Sequence, residues 1–528
     1  MPRVLVADEL DPGAIAYLAT GAETLVAPGL GREALLAAVA DCDALLVRSG
    51  TRVTREVIQA GARLQVIGRA GAGVDNVDVD AATEHGVWVV NAPDSNSVAV
   101  AEYVFALALA LLRRLPWAWE SLRSGQWSRG RFRGAELAGK TLGIVGLGRI
   151  GSRVAERAVA FGMAVLAYDP FVAPERAGSA GVALRSLEDL LASSDIVTLH
   201  LPGTGTTTGL IGVRQLACMK PGAYLINCSR GSVLDEAALL SALDSGHLGG
   251  AALDVFAAEP PHGSPLVVHP RVLATPHLAG TTDEAQQNVA MAVAEQVLAV
   301  LAGRQPRYPV NAPALSAEQQ ARIGPHLDLA RRLGRFYSQI ATEPTVAVRL
   351  EFAGQAAELE TALLTAAALE GTLAEASESP VNLVNARLVA RNRGISVTET
   401  SSAKAGPYSS LVTMSVQTSE GERRVAGTVM HGQPYVVSID EYPIPFVPAG
   451  MLLYTEHVEQ AGILGKMGTL LGEHGVNISF VQVGRRARGG KGVMVVGVDD
   501  RLSEAVLDAV GSLPSVVRAR MVCLPATR

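Results

Sequence analysis

The chain of 528 residues is 48% hydrophobic and 18% charged, apolar enough for several buried cores and unlike a disordered chain. A formal charge of −6, from 45 Lys and Arg against 51 Asp and Glu, excludes the basic footprint of a nucleic-acid partner. Four scattered cysteines without a CxxC pair exclude a disulfide framework and a cysteine-built zinc site, and predict a reducing, cytoplasmic setting with no bound metal.

The first apolar, β-branched runs are Val4–Ala7, Ala44–Val47, Val66–Ile67 and Val87–Val90. A long helix is predicted from about Val98 to Arg114. Its most apolar part, Val98 to Leu112, is 15 residues long and carries Glu102, so it is too short and too costly for a membrane span. The opening MPRVLVADEL reaches Asp8-Glu9 after one short apolar run, which does not make a signal peptide. A second group of strands follows at Leu142–Val145, Val165–Tyr168, Ile196–Leu199, Leu225–Ile226, Ala251–Leu253 and Val272–Ala274, then a helix from about Asp283 to Leu301. Unbroken apolar runs joined by helix-length connections predict parallel sheets covered on both faces. The simplest arrangement inserts one domain, residues 98–281, into another made of 1–97 and 282–310, with the two long helices crossing between them.

QPRYPVNAP then reads as a Pro-rich linker. Residues 311–447 mix a helix near Gln355–Glu370 with strands such as Thr345–Phe352 and Ser410–Gln417, and EYPIPFVPAG closes the region. Residues 448–528 read strand–helix–strand–strand–helix–strand: Leu452–Val458, Ile463–His474, Asn477–Val483, Val493–Val498, Leu502–Leu513 and Val516–Val522.

Between the strand ending at Val145 and a helix stands Gly146-Leu147-Gly148-Arg149-Ile150-Gly151, the context a dinucleotide-binding GxGxxG requires. Gly146 allows the tight turn, Gly148 lets the backbone approach a pyrophosphate, and Gly151 permits close helix–strand contact. The next strand ends at Asp169, 23 residues beyond Gly146. A carboxylate there accepts from ribose hydroxyls and repels a 2′-phosphate, which points to NAD over NADP.

Further residues of catalytic type follow strands of the second group, at the edge where open parallel sheets bind ligands. These are Arg230, Asp254 with Glu259 beyond it, and His277. Any one of them is equally explained by a loop ion pair; three at one edge are not. Removing hydride from a secondary alcohol needs a base for the hydroxyl proton and a cation for the carbonyl oxygen that develops. His277 suits the base, Glu259 can orient it, and Arg230 offers a planar fork for a 2-hydroxy acid carboxylate. Arg48, Arg69 and Asn96 lie beyond early strands, where two guanidiniums suit a phosphate dianion; a surface ion pair is the alternative for each arginine. His85, His200 and His269 read as structural, and Cys228 lacks an activating base.

The texts GLGRIG, NCSRGSVLDE, ALDVFAAEP and TPHLAGTT resemble the D-2-hydroxyacid dehydrogenase family, and RAGAGVDNVD with NAPDSNSVAVAE resembles its phosphoglycerate dehydrogenase branch. The resemblance implies an α/β fold: a Rossmann-type doubly wound parallel sheet inserted into a flavodoxin-like substrate domain, followed by an α+β intervening domain (311–447) and a C-terminal ACT domain (448–528) of ferredoxin-like βαββαβ type. It implies catalytic roles for Arg230, Glu259 and His277. It implies NAD contacts at Arg149, Ile150, Asp169, Leu201, Pro202, Cys228, Ser229, Arg230, Asp254, His277, Leu278, Ala279 and Gly280. Ala72 and Gly73 fall beside the substrate, Ala72 where some relatives carry Thr. The implied reaction oxidises 3-phosphoglycerate with NAD at the start of serine biosynthesis. Two alternatives are another D-2-hydroxyacid dehydrogenase, such as a glyoxylate or hydroxypyruvate reductase, and a non-catalytic NAD- or amino-acid-sensing protein. A homodimer or homotetramer is implied, as is an L-serine effector near His457, Glu459 and Asn477, with Glu459 standing where serine-regulated relatives often have Asp. The intervening region departs from relatives with a second anion site, since Val436–Val447 holds no Lys or Arg.

Overall fold

The computed structural model describes residues 1–179, 181–377 and 380–526. The first sheet contains β1 (Arg3–Val6), β2 (Glu23–Val26), β3 (Ala44–Val47), β4 (Val66–Arg69) and β5 (Trp88–Val90). All pairs are parallel and the order is β2-β1-β3-β4-β5, the flavodoxin-like arrangement. Val4, Leu5, Val6 and all of β3 are fully buried, which is why these runs show no apolar–polar alternation. β2 has no counterpart among the predicted runs: it is an edge strand, ETLV, exposed along much of its length. The helix Asp283–Leu301 covers one face through Val289, Val293 and Val297. Thr282 caps it by accepting from the Ala285 amide at 3.2 Å, and Asp283 and Glu284 complement its dipole.

The second sheet contains β6 (Thr141–Val145), β7 (Ala164–Tyr168), β8 (Ala183–Leu184), β9 (Ile196–Leu199), β10 (Tyr224–Asn227), β11 (Gly250–Leu253) and β12 (Val272–Ala274). Its order, β12-β11-β10-β9-β6-β7-β8 with every pair parallel, is that of a Rossmann sheet, and the switch point lies between β6 and β9. The helix Ser97–Leu112 leaves β5 and packs Val100, Val104, Leu107 and Leu111 into this second core. It and Asp283–Leu301 are the two crossings between the lobes.

QPRYPVNAP is not a free linker. Pro309 bridges Val90, the Val310 amide donates to the Val89 carbonyl at 2.7 Å, and the Asn311 side chain bonds Val89 and Val87. The segment therefore extends the edge beyond β5.

The third sheet contains β13 (Ala347–Gly354), β14 (Ser396–Ser402), β15 (Ser410–Thr418), β16 (Gly421–Met430), β17 (Gln433–Ile439) and β18 (Tyr442–Phe446), in the order β14-β13-β15-β16-β17-β18. The helix expected near Gln355–Glu370 begins later, at Thr361, and runs to Leu373; a short 3-10 turn, Gln355–Glu358, precedes it. A helix that sequence patterning missed, Ala317–Ile340, is 24 residues long and passes through Gly324-Pro325, a pair that reads as a breaker. Ile323, Leu327, Leu333, Phe336, Tyr337 and Ile340 are buried along it, so packing outweighs the local cost of the proline.

The last sheet contains β19 (Gly450–Val458), β20 (Ile478–Arg485), β21 (Lys491–Val498) and β22 (Val516–Leu524). Its antiparallel order, β20-β21-β19-β22, with helices Ile463–Glu473 and Glu504–Gly511, makes the ferredoxin-like βαββαβ unit. Those helices cover one face. On the other face Leu452, Tyr454, Val493, Val495 and Val522 join the core of the helix Ala317–Ile340. Phe336 meets Tyr454 edge-on at 5.9 Å and Phe446 at 5.7 Å. Arg332, 3% exposed, donates to the carbonyls of Pro448 at 2.7 Å and Pro525 at 2.6 Å. The two C-terminal sheets thus share one core. Among the described residues no helix is long and apolar enough to cross a membrane.

Candidate active site

β6 ends in the glycine turn. Gly146 has φ +97°, and a Cβ there would lie 2.5 Å from the His200 carbonyl oxygen. Gly151 stands where the helix Arg149–Ala160 backs onto the Gly146 carbonyl, leaving no room for a side chain. Gly148 faces open space, and no side chain caps this 12-residue helix, so its first amides stay available to an anion. Asp169 directly follows β7; its carboxylate accepts from the amides of Leu147 and Phe171, both at 2.9 Å, which fixes it beside the turn. Ile150 packs toward the second core and Leu201 packs beside Gly146, while the Pro202 carbonyl accepts from Thr207. These features fit a dinucleotide. The Arg149 guanidinium pairs with Asp94 of the first lobe.

Past β10 a buried Asn227 shapes the next loop. Its Oδ1 accepts from the Ser229 amide and hydroxyl, and its Nδ2 donates to the Arg230 carbonyl at 3.0 Å. Arg230 then reaches across the cleft: Nε donates to Asp75 at 3.1 Å, and Nη1 to the Ser229 carbonyl at 2.7 Å. Its Nη2 occupies the space a side chain on Gly73 would need. Ala72 beside it gives its carbonyl to Asn91.

Beyond β11 and β12 the His277–Glu259 couple forms. His277 Nδ1 lies 2.8 Å from Glu259 Oε2, and the other carboxylate oxygen accepts from the Phe256 amide at 3.1 Å. A carboxylate facing Nδ1 places the ring proton there and leaves the Nε2 lone pair free. His277 is left-handed, φ +55°, a conformation that needs external support. Fully buried Asp254 supplies it, accepting from Thr275 Oγ1 at 2.7 Å and from the amides of Leu278 and Ala279, each at 2.8 Å. Gly280 meets Asn96, whose Oδ1 is enclosed without a hydrogen-bond partner among the described residues.

Arg69 ends β4 and points Nε at Asn76, 3.4 Å away; Asn76 in turn holds the carbonyls of Arg48 and Thr51. Burial, then the neighbouring Arg230 and Arg48, push the Arg69 guanidinium below its usual pKa, with Asp75 opposing them. Arg48, Arg69 and Arg230 thus approach this end of the cleft together with Asp75 and Asp8. Arg48 lines a cavity of about 290 Å³ together with the carboxylates Glu9, Asp11 and Asp283 and with Gln286. Burial also pushes the Cys228 thiol far up, so no thiolate forms there. His200, whose Nε2 lies 3.0 Å from Thr198, has its pKa pushed down to about 4 by burial and stays a neutral structural ring.

Residues 105–279 match the family model of the D-isomer specific 2-hydroxyacid dehydrogenase NAD-binding domain, and residues 322–440 match the D-3-phosphoglycerate dehydrogenase intervening domain. The chain is 44% identical to a D-3-phosphoglycerate dehydrogenase of Bacillus subtilis, over 92% of each chain. It is 41% identical to that of Methanocaldococcus jannaschii, over 98% of each. The chain belongs to the D-3-phosphoglycerate dehydrogenase family. It is accordingly an NAD-dependent oxidoreductase. Among solved structures, a protein of Thermus thermophilus matches 58% of this chain and 99% of its own at TM-score 0.54 and 39% identity. A D-lactate dehydrogenase of Aquifex aeolicus, complexed with NAD and lactic acid, matches 59% of this chain and 100% of its own at TM-score 0.54 and 28% identity.

Asp75, Asn76, Asp94 and Thr275, which sequence reading did not single out, contact Arg230, Arg69, Arg149 and Asp254 respectively, and Tyr308 contacts Asp94. In the C-terminal unit, His457 is buried with Nδ1 unpartnered among the described residues, and Glu459, just after β19, is engaged by Arg485 and the Gly489 amide of the β20–β21 hairpin. Asn477 donates to Asp499 at 2.6 Å. His457 pairs with Gly492 at one end of β21, whereas Ile478, next to Asn477, pairs with Val498 at the other. At about 3.3 Å per residue the two stand roughly 20 Å apart, so one chain does not bring the three together.

Proposed function

We propose that this enzyme oxidises 3-phospho-D-glycerate to 3-phosphohydroxypyruvate, the first step of serine biosynthesis, in the cytoplasm, with the domain boundaries drawn from the sequence. The observation that carries the reading is the His277–Glu259 couple beyond one lobe's strands, with Arg230 of that lobe extended to the Arg69 side of the other. His277 Nε2 takes the substrate hydroxyl proton while Glu259 stabilises the imidazolium that results. The Arg230 fork holds the carboxylate and polarises the forming carbonyl. Arg69 and Arg48 take the phosphate, and Asn96 with Gly73 borders the substrate.

The turn Gly146–Gly151 with the first amides of its helix holds the pyrophosphate, and Asp169 the adenosine ribose. Leu201, Pro202, Cys228, Ser229, Asp254 and Leu278–Gly280 border the nicotinamide. NAD, when bound, supplies the acceptor for the substrate's carbon-bound hydrogen.

A spectrophotometric assay at about 340 nm, where reduced nicotinamide absorbs, tests the assignment. NADH should form with 3-phosphoglycerate far faster than with glycerate. An Arg69→Ala variant should lose about 10- to 100-fold in kcat/KM for the phosphorylated acid and little for glycerate. Preference for glycerate or glyoxylate in the wild type would instead assign another D-2-hydroxyacid dehydrogenase, and no turnover at all a sensing protein.

L-serine is the proposed effector. Because His457 and Glu459 stand far from Asn477 in one chain, an effector site using all three needs a second copy, in keeping with a homodimer or homotetramer. Isothermal titration of the full chain should show L-serine binding; an absence of heat and of inhibition would remove this part of the reading.

A further inference from the structure

Arg149 occupies the first turn of the helix Arg149–Ala160, yet its guanidinium turns to the opposite lobe. It pairs with one carboxylate oxygen of Asp94, in the loop between β5 and the helix Ser97–Leu112. The second oxygen of Asp94 accepts from the Tyr308 hydroxyl at 2.5 Å. The Tyr308 ring lies under the same guanidinium, 5.7 Å from centroid to Cζ. Tyr308 is itself anchored: its amide donates to Gln296 Oε1 at 2.7 Å, and Gln296 Nε2 donates to the Asn91 carbonyl at 2.9 Å. Burial and the Asp94 charge push the Tyr308 hydroxyl above its usual pKa, so it remains a donor.

We propose that Arg149, Asp94 and Tyr308 form a latch that holds the two lobes together, with Arg149 a positioning residue rather than a pyrophosphate clamp. Its effect on turnover rests on the oxidoreductase reading above; its effect on lobe mobility does not. The pair straddles the crossing between the lobes, since Asp94 lies three residues before the helix Ser97–Leu112 and Arg149 lies on the nucleotide side. It therefore ties residues of the two lobes directly beside that crossing. Arg149 is 56% and Asp94 42% exposed, a degree of exposure at which an ion pair alone holds weakly. Sharing Asp94 with Tyr308 and backing the guanidinium with the ring strengthens the contact while leaving it breakable in each cycle. Tyr308 also belongs to the strand-edge segment that leads to the helix Ala317–Ile340, where Gln320 bonds the Pro306 carbonyl at 3.3 Å. The latch therefore sits where the C-terminal half is attached.

The test uses the full chain with Arg149→Gln, Asp94→Asn, Tyr308→Phe and the Arg149→Gln/Asp94→Asn double variant. Hydrogen exchange is read in peptides covering residues 92–97 and 146–152, NAD affinity by calorimetry without hydroxy acid, and KM for 3-phosphoglycerate by assay. Each single variant should raise exchange in both peptides about threefold or more and raise KM about 3- to 10-fold, with NAD affinity changed less than about twofold. The double variant should be no worse than the worse single one. A roughly tenfold loss of NAD affinity in Arg149→Gln with none in Asp94→Asn would overturn the latch and restore a cofactor clamp. Exchange raised only on the mutated side, or effects that add in the double variant, would overturn it as well. If the wild type oxidised no hydroxy acid, the exchange and NAD measurements would still decide the latch.

Discussion

A His277→Ala variant should turn over 3-phosphoglycerate about two to four orders of magnitude more slowly, with NAD affinity within about twofold of wild type. In the proposed mechanism the ring supplies the lone pair that receives the hydroxyl proton. In the same mechanism Glu259, 2.8 Å from Nδ1, acts through the ring. Glu259→Gln keeps an acceptor for Nδ1–H but removes the charge that steadies the imidazolium, so its loss should be smaller and fall mainly on kcat. Arg230→Ala should lower kcat and raise KM together, because the fork is used both in binding and as the carbonyl forms. Steady-state kinetics with wild-type behaviour in His277→Ala would remove the proposed chemistry.

A chain ending at Val447 should fail to hold its intervening sheet together. Truncation strips Leu452, Tyr454, Val493, Val495, Val522 and Leu524 from a core they share with Phe336, Tyr337 and Phe446. At about 1.5–3 kcal/mol for each buried apolar side chain, the loss is about 9–18 kcal/mol, an upper bound because the unfolded chain already buries part of that surface. That is comparable to the whole stability of an ordinary domain. It also leaves Arg332 buried without its three carbonyl partners, Pro448, Pro525 and Ala526. The first two sheets have separate cores and should still melt cooperatively. Calorimetry should show their transition kept and the C-terminal one lost; an unshifted second transition would contradict the shared core.

Elements defined by local pattern were legible in the sequence. Unbroken runs such as Ala44–Val47 marked their strands because both faces are buried, and the glycine turn with Asp169 announced the nucleotide lobe. β2 was not legible, because an exposed edge strand has no apolar signature. The helix Ala317–Ile340 was hidden by Gly324-Pro325, since its stability comes from tertiary partners, chiefly the helix Thr361–Leu373 and, farther along the chain, Tyr454. In the site, the position of Arg230, Glu259 and His277 after successive strands was readable. Their supports were not: Asp75 meets Arg230 across 155 residues of chain, and Tyr308 meets Asp94 across 214. No periodicity encodes such pairings. The same distance effect explains Arg149, whose motif suggests a ligand but whose side chain finds an acid on the other lobe.

The backbone at position 277 winds against the usual hand, with φ +55°. Few side chains accept that geometry without strain; glycine, asparagine, aspartate and histidine are the most tolerant. Within this narrow alphabet only the imidazole changes protonation close to neutrality. Steric permission and acid–base fitness thus converge on one amino acid.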